Sequence, residues 1–150
     1  MKNSLLDKAA AEKIIARVSA LDKTRGASWG IMNVTEMLLH CNRCNNQILQ
    51  GDMEYRKTTF KQRLLRPLAL YIVSNFPKNM KSAPQNDTKG QIDDSQFDTQ
   101  KKIFIETVRR FAEREAPIAL THPAFGNLDT NEWGIAAWKH MDHHLRQFGV

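Results

Sequence analysis

The feature that most constrains this chain is helical periodicity bounded by explicit N-terminal caps. Asn33 stands three residues before Glu36 and Asp129 three before Glu132, each pair opening an apolar-periodic run, which is the reciprocal capping arrangement that begins an α-helix. Ser4 and Asp7 make a similar pair before Leu5, Ala9, Ile14, Val18 and Leu21, and predict a first helix over about 5–21. The second helix is predicted from Asn33 to a stop at Gly51. A third starts near Asp94 or Ser95, carries Phe97, Phe104, Val108 and Phe111 on one side, and is expected to end or kink at Pro117. The last runs from Asp129 to Gly149. No stretch alternates apolar and polar residues as a strand requires.

The predicted fold class is therefore all-α, a four-helix bundle formed by residues 1–150 as one domain. The longest connection, 52–96, lies between the second and third of these helices. It holds a short helix within KQRLLRPLALYIVSNF, interrupted by Pro67, and then a polar loop that is either functional or mobile. A crossover placed there lets successive helices run parallel, which gives an up-down-down-up order.

Apolar residues are 41% of the chain and none of their runs approaches the ~20 residues of a membrane helix. Asp7, Lys8, Glu12 and Lys13 break the N-terminal apolar residues and exclude a secretory h-region there, so the expected compartment is the cytoplasm, where Cys41 and Cys44 stay reduced. The net charge of +6 permits attraction to nucleic acid. The densest basic cluster, Arg56, Lys57, Lys61, Arg63 and Arg66, has no interleaved aromatic side chains for base stacking, however, and matches no nucleic-acid motif. A solvated basic face is the expectation, with phosphate or another small anion as alternatives.

Three of the five histidines fall within WKHMDHHLRQF. With Trp133 at zero on a helical wheel, the apolar arc of the last helix spans about −60° to +120°; His140 falls near −20° and His144 near +20°. His143 lies near −80°, at the rim, and Lys139, Asp142 and Arg146 point away. The inward pair sits at i and i+4, the spacing by which one helix offers two imidazoles to one metal ion. His40 lies about 10 Å into the second helix, at the level the pair reaches if the two helices are antiparallel, though it is itself about 100° from the centre of that helix's apolar face. Packing of each ring in the core is the alternative reading. Three neutral imidazoles with an open position suit a divalent ion, zinc or nickel.

In HCNRC, Cys41 and Cys44 lie mid-helix with no preceding strand, which argues against a redox CxxC; buried packing is expected, with metal ligation as the alternative. His122, before Pro123, is read as ordering a turn. Trp29, Trp133 and Trp138 are read as packing the bundle ends.

The segments WGIMNVTEMLLHCN and THPAFGNLDTNEWGIAAWKHMDHHLRQFG resemble the DinB/YfiT-like superfamily of metalloenzymes. That resemblance implies an up-down-down-up bundle, a homodimer, and a divalent metal on three histidines, which by position are His40, His140 and His144. Relatives in that superfamily include thiol S-transferases and a maleylpyruvate isomerase. The expected function is a metal-dependent enzyme that activates a low-molecular-weight thiol or water against a small-molecule substrate. The alternative is a non-catalytic bundle binding a metal or small ligand in a stress response. Glu36 and Asp142 both point outward on their wheels, so no general base is expected.

Overall fold

The computed structural model describes residues 2–150. It is mostly helical: α1 (Lys8–Ser19), α2 (Val34–Gln50), α3 (Phe60–Pro67), α4 (Phe97–Ala112) and α5 (Thr130–Gln147), with one two-residue ribbon of β1 (Thr121–His122) and β2 (Gly126–Asn127). Among the described residues no helix is long and apolar enough to cross a membrane.

Asn33 and Asp129 cap α2 and α5 reciprocally with Glu36 and Glu132, as expected, and Gly51 closes α2 in the left-handed conformation that glycine adopts without strain. The start of α1 differs. Asp7, not Ser4, is the cap, accepting from the Ala10 amide, and residues 5–6 stand outside the helix, where the Leu5 amide donates to the Gly134 carbonyl of α5 at 3.0 Å. The approach is so close that a Cβ on Gly134 would stand 2.2 Å from Ser4 Oγ. Similarly, α4 ends at Ala112 rather than at Pro117. The connection between α4 and α5 contains the β1–β2 ribbon, too short for any alternation to register.

α1 packs against α4 and α5, and α2 against the same two helices. Phe104, Phe111, Trp133, Met37, Leu38, Met141 and Leu145 fill the core between them. Contacts advance together along α2 and α4, where Asn42 reaches Gln100 and Asn45 reaches Thr107. They advance together along α1 and α5 too, from Leu5 on Gly134 to Arg17 on Asp142. Along α2 and α5 they run oppositely, with His40 on His144 and Asn45 on Met141. Thus α2 and α5 hold their side chains at matched levels.

α3 and the π-helical turn Leu68–Ile72 after it form a separate surface feature. α3 buries none of its residues, and Phe60, Leu64, Leu68 and Ile72 project an exposed ridge at four-residue spacing. The rest of the crossover is docked. Glu36, expected to face outward, is 3% exposed: it accepts from the Gly90 amide at 2.7 Å and pairs with Lys89, while Thr88 donates to the Glu36 carbonyl. Burial opposes its ionisation, but the Gly90 and Asn33 amides and Lys89 outweigh that and hold the carboxyl below its usual range. Lys139 also differs from expectation. It is buried, with its ammonium donating to the Ala69 and Val73 carbonyls at the end of the π-helical turn. Asp142 is paired with Arg17 across the α1–α5 contact and with Arg146 one turn on in α5, rather than free in solvent.

Candidate metal centre

Two helices each present a pair of side chains four residues apart, and the pairs meet. From α5, His140 and His144 bring their Nε2 atoms to 3.1 Å of one another; from α2, His40 places Nε2 3.1 Å from His140 Nε2. The His40 and His144 ring centroids are 4.8 Å apart. Cys44, one turn beyond His40, sets its Sγ 3.8 Å from His40 Nε2. His40, Cys44 and His140 form a group that could hold a metal ion, and no carboxylate belongs to it among the described residues.

Hydrogen bonds on the far side of the rings decide which nitrogens carry protons. His40 Nδ1 lies 2.7 Å from the Asn86 carbonyl, which can only accept, so Nδ1 carries the proton and Nε2 presents a lone pair. His144 Nδ1 lies 2.8 Å from Gln147 Oε1. The orientation of that amide is set in turn, because its Nε2 lies 2.6 Å from the Trp29 carbonyl and must be the donor there. His144 is therefore also protonated at Nδ1 and bare at Nε2. Both lone pairs converge on His140 Nε2, which has one hydrogen at most and can satisfy only one of them. A cation resolves the conflict. Ligands about 2.0–2.1 Å from one ion stand roughly 2.9–3.4 Å apart over the octahedral to tetrahedral range of angles, and the observed 3.1 Å falls inside it.

Burial makes protonation a poor alternative. It pushes the imidazole of His144 down to about 3 and that of His140 well below its usual range, where the neighbouring rings depress it further; His40 is lowered by burial as well. The rings are thus neutral at physiological pH, the form that ligates metals. His40 and His144 are buried, and His140 and Cys44 are half-buried.

The remaining histidines stand apart from this convergence. His143, expected at the rim, is buried with its ring edge toward Trp29, and its Nδ1 has no partner. His122 accepts from the Ala124 amide at Nδ1 and stacks on Phe125 at 4.4 Å, which is the turn-ordering role its place before Pro123 predicted; burial lowers it to about 4. Cys41 is enclosed in the core beside Met37, as expected. Cys44 is not: read as packing, it lies beside His40.

Three supporting residues carried no sequence signal that singled them out. Asn86 belongs to the polar crossover, where a reciprocal amide pair with Gln47 holds it. Gln147 reads as one more polar residue near a helix end. Gly30, at φ 81°, makes room for it, since a Cβ there would stand 2.6 Å from Gln147 Nε2. The segment TRGASWG, which simply separates two helices in the sequence, thereby reaches the site through Gln147.

A helical scaffold carrying a histidine and cysteine cluster of metal-binding geometry is the class these observations define. The chain belongs to the family described as "Protein of unknown function (DUF1569)", whose model matches residues 1–149. No curated protein and no solved structure matches it.

Two predictions follow from the ring chemistry. Unfolding returns each histidine to a pKa near 6.5, above its native value, so below that pH the unfolded state binds more protons. Stability of the metal-free protein is therefore level above about pH 7 and falls as pH drops from about 6.5 to 5, before ordinary carboxylates titrate. Urea unfolding across that range measures it, and an unchanged midpoint contradicts it. Gln147→Ala removes the acceptor that orients His144 and weakens zinc binding about 10- to 100-fold. Competition with a chromogenic chelator reads that loss, and wild-type affinity in the variant contradicts it.

Proposed function

We propose that this chain is a cytoplasmic metal-dependent enzyme in which His40, His140 and His144 hold a divalent ion, zinc or nickel, that activates a low-molecular-weight thiol or water against a small-molecule substrate. The proposal includes the up-down-down-up four-helix bundle of the DinB/YfiT-like superfamily that the sequence resembles. The contact pattern supports that order: α1 runs with α5, α2 runs with α4, and α2 opposes α5.

The observation that carries the metal reading is the pair of lone pairs, on His40 and His144, aimed at a third ring nitrogen 3.1 Å from each. An ion held there would lower the pKa of a bound thiol or water and so supply a nucleophile at neutral pH. The protein's own part is orientation. The Asn86 carbonyl and Gln147 Oε1 hold two rings in the ligating tautomer, and the packed faces of α2 and α5 fix their separation.

The nearby carboxylates favour thiol over hydrolytic chemistry. Glu36 is buried in its own hydrogen bonds, and Asp142 is committed to Arg17 and Arg146. Neither is free to draw a proton from water as a general base. A thiol bound as thiolate needs no such base during attack.

One observation favours a second reading. Cys44 stands where a fourth ligand would, and a closed four-ligand set is the habit of structural rather than catalytic sites. A non-catalytic metal-binding helical protein is therefore the competing function.

Elemental analysis of the purified protein beside His140→Ala tests the metal. Stoichiometric zinc or nickel is expected in wild type and its loss in the variant. Metal-free wild type that cannot be reloaded with either ion removes the proposal. For the metal-loaded protein, turnover of electrophilic acceptors with a panel of small thiols is expected; inertness to every pair leaves the binding reading.

A further inference from the structure

We propose that Cys44 is the fourth ligand, completing a three-nitrogen, one-sulfur set in which α2 and α5 each contribute one i, i+4 pair: His40 with Cys44, and His140 with His144. This rests on the metal reading above and assigns a residue that the resemblance does not.

Residues four apart on a helix project from the same face, so Cys44 must follow His40 wherever that face points, and the face points at His140. The donor atoms of Cys44, His40 and His140 all lie within 4.8 Å of one another, a group that does not include His144, and three ring nitrogens on one ion would leave one corner of a tetrahedron for the sulfur. With about 2.3 Å to sulfur and about 2.0 Å to nitrogen, a tetrahedral ion sets S and N roughly 3.6 Å apart. The observed separation from His40 Nε2 is 3.8 Å.

The nearby cysteine provides an internal contrast. Cys41 shares the HCNRC motif, yet it is wholly enclosed and turned toward Met37 Sδ at 3.7 Å. The two thiols of one CxxC thus have different surroundings: one is core, and the other lies at the part-exposed edge of an imidazole cluster. A thiolate in the set has two consequences. It biases the site toward zinc among the divalent ions, because sulfur is a soft donor, and it means that an activated thiol or water would enter as a fifth donor or in place of Cys44.

Cobalt(II) titration of the metal-free full-length protein, followed by absorption spectroscopy, tests the assignment. Wild type is expected to show visible d–d bands of a tetrahedral site together with a near-ultraviolet sulfur-to-cobalt charge-transfer band. Cys44→Ser and Cys44→Ala are expected to lose the charge-transfer band while still binding cobalt, and Cys41→Ser is expected to keep it. A wild-type spectrum with d–d bands and no charge-transfer band overturns the role of Cys44 and leaves the three-histidine centre standing. Failure to bind cobalt at all overturns both.

Discussion

Unprotonated imidazole nitrogens gathered inside a helical core are the constraint on which the rest of this structure depends. A lone pair facing another lone pair across 3.1 Å is unfavourable in a medium too apolar to screen it, and the arrangement persists only if the surroundings leave the rings no alternative. They leave none. Burial disfavours the imidazolium, and each of two rings has its proton drawn to the opposite nitrogen by an acceptor that has no other possible role. What would be a defect in an ordinary core becomes a site prepared for a cation.

That preparation is spread over elements distant in sequence. The crossover after α2 contributes Asn86, held by Gln47 and, beyond it, by the anchoring of residues 88–90 on Glu36. The connection between α1 and α2 contributes the Trp29 carbonyl, which orients Gln147 and through it His144. Gly30 is required next to that carbonyl because any side chain would occupy the space of the amide it orients. The helices set where the rings are, whereas the loops set which nitrogen is bare. Loss of a loop contact should consequently alter ligand chemistry without dismantling the core.

Much of this was legible in the sequence, for identifiable reasons. Reciprocal caps at Asn33 and Asp129 are local, so they marked the starts of α2 and α5 correctly. The i, i+4 spacing of His140 and His144 is a property of one helix and needed no tertiary information. The start of α1 was misread because Ser4 and Asp7 are both capping residue types, and it is the Asp7 carboxylate that takes the amide three residues on. Lys139 and Glu36 were placed in solvent by their wheels; both are buried because irregular segments fold over them, and a helical wheel contains no loops. Cys44 was taken for packing since hydrophobicity ranks cysteine with core residues; its place one turn from His40 is local, but only the position of α5 brings His140 to the pair. Asn86 and Gln147 carry no pattern at all, because their importance lies in one accepting oxygen each.

The most direct test of the central claim is the protonation state of the rings themselves. Long-range proton–nitrogen correlation spectra of the metal-free protein at neutral pH report, ring by ring, which nitrogen bears hydrogen. The account predicts that His40 and His144 are both neutral and protonated at Nδ1, with Nε2 bare. Either ring found protonated at Nε2, or charged, would contradict it.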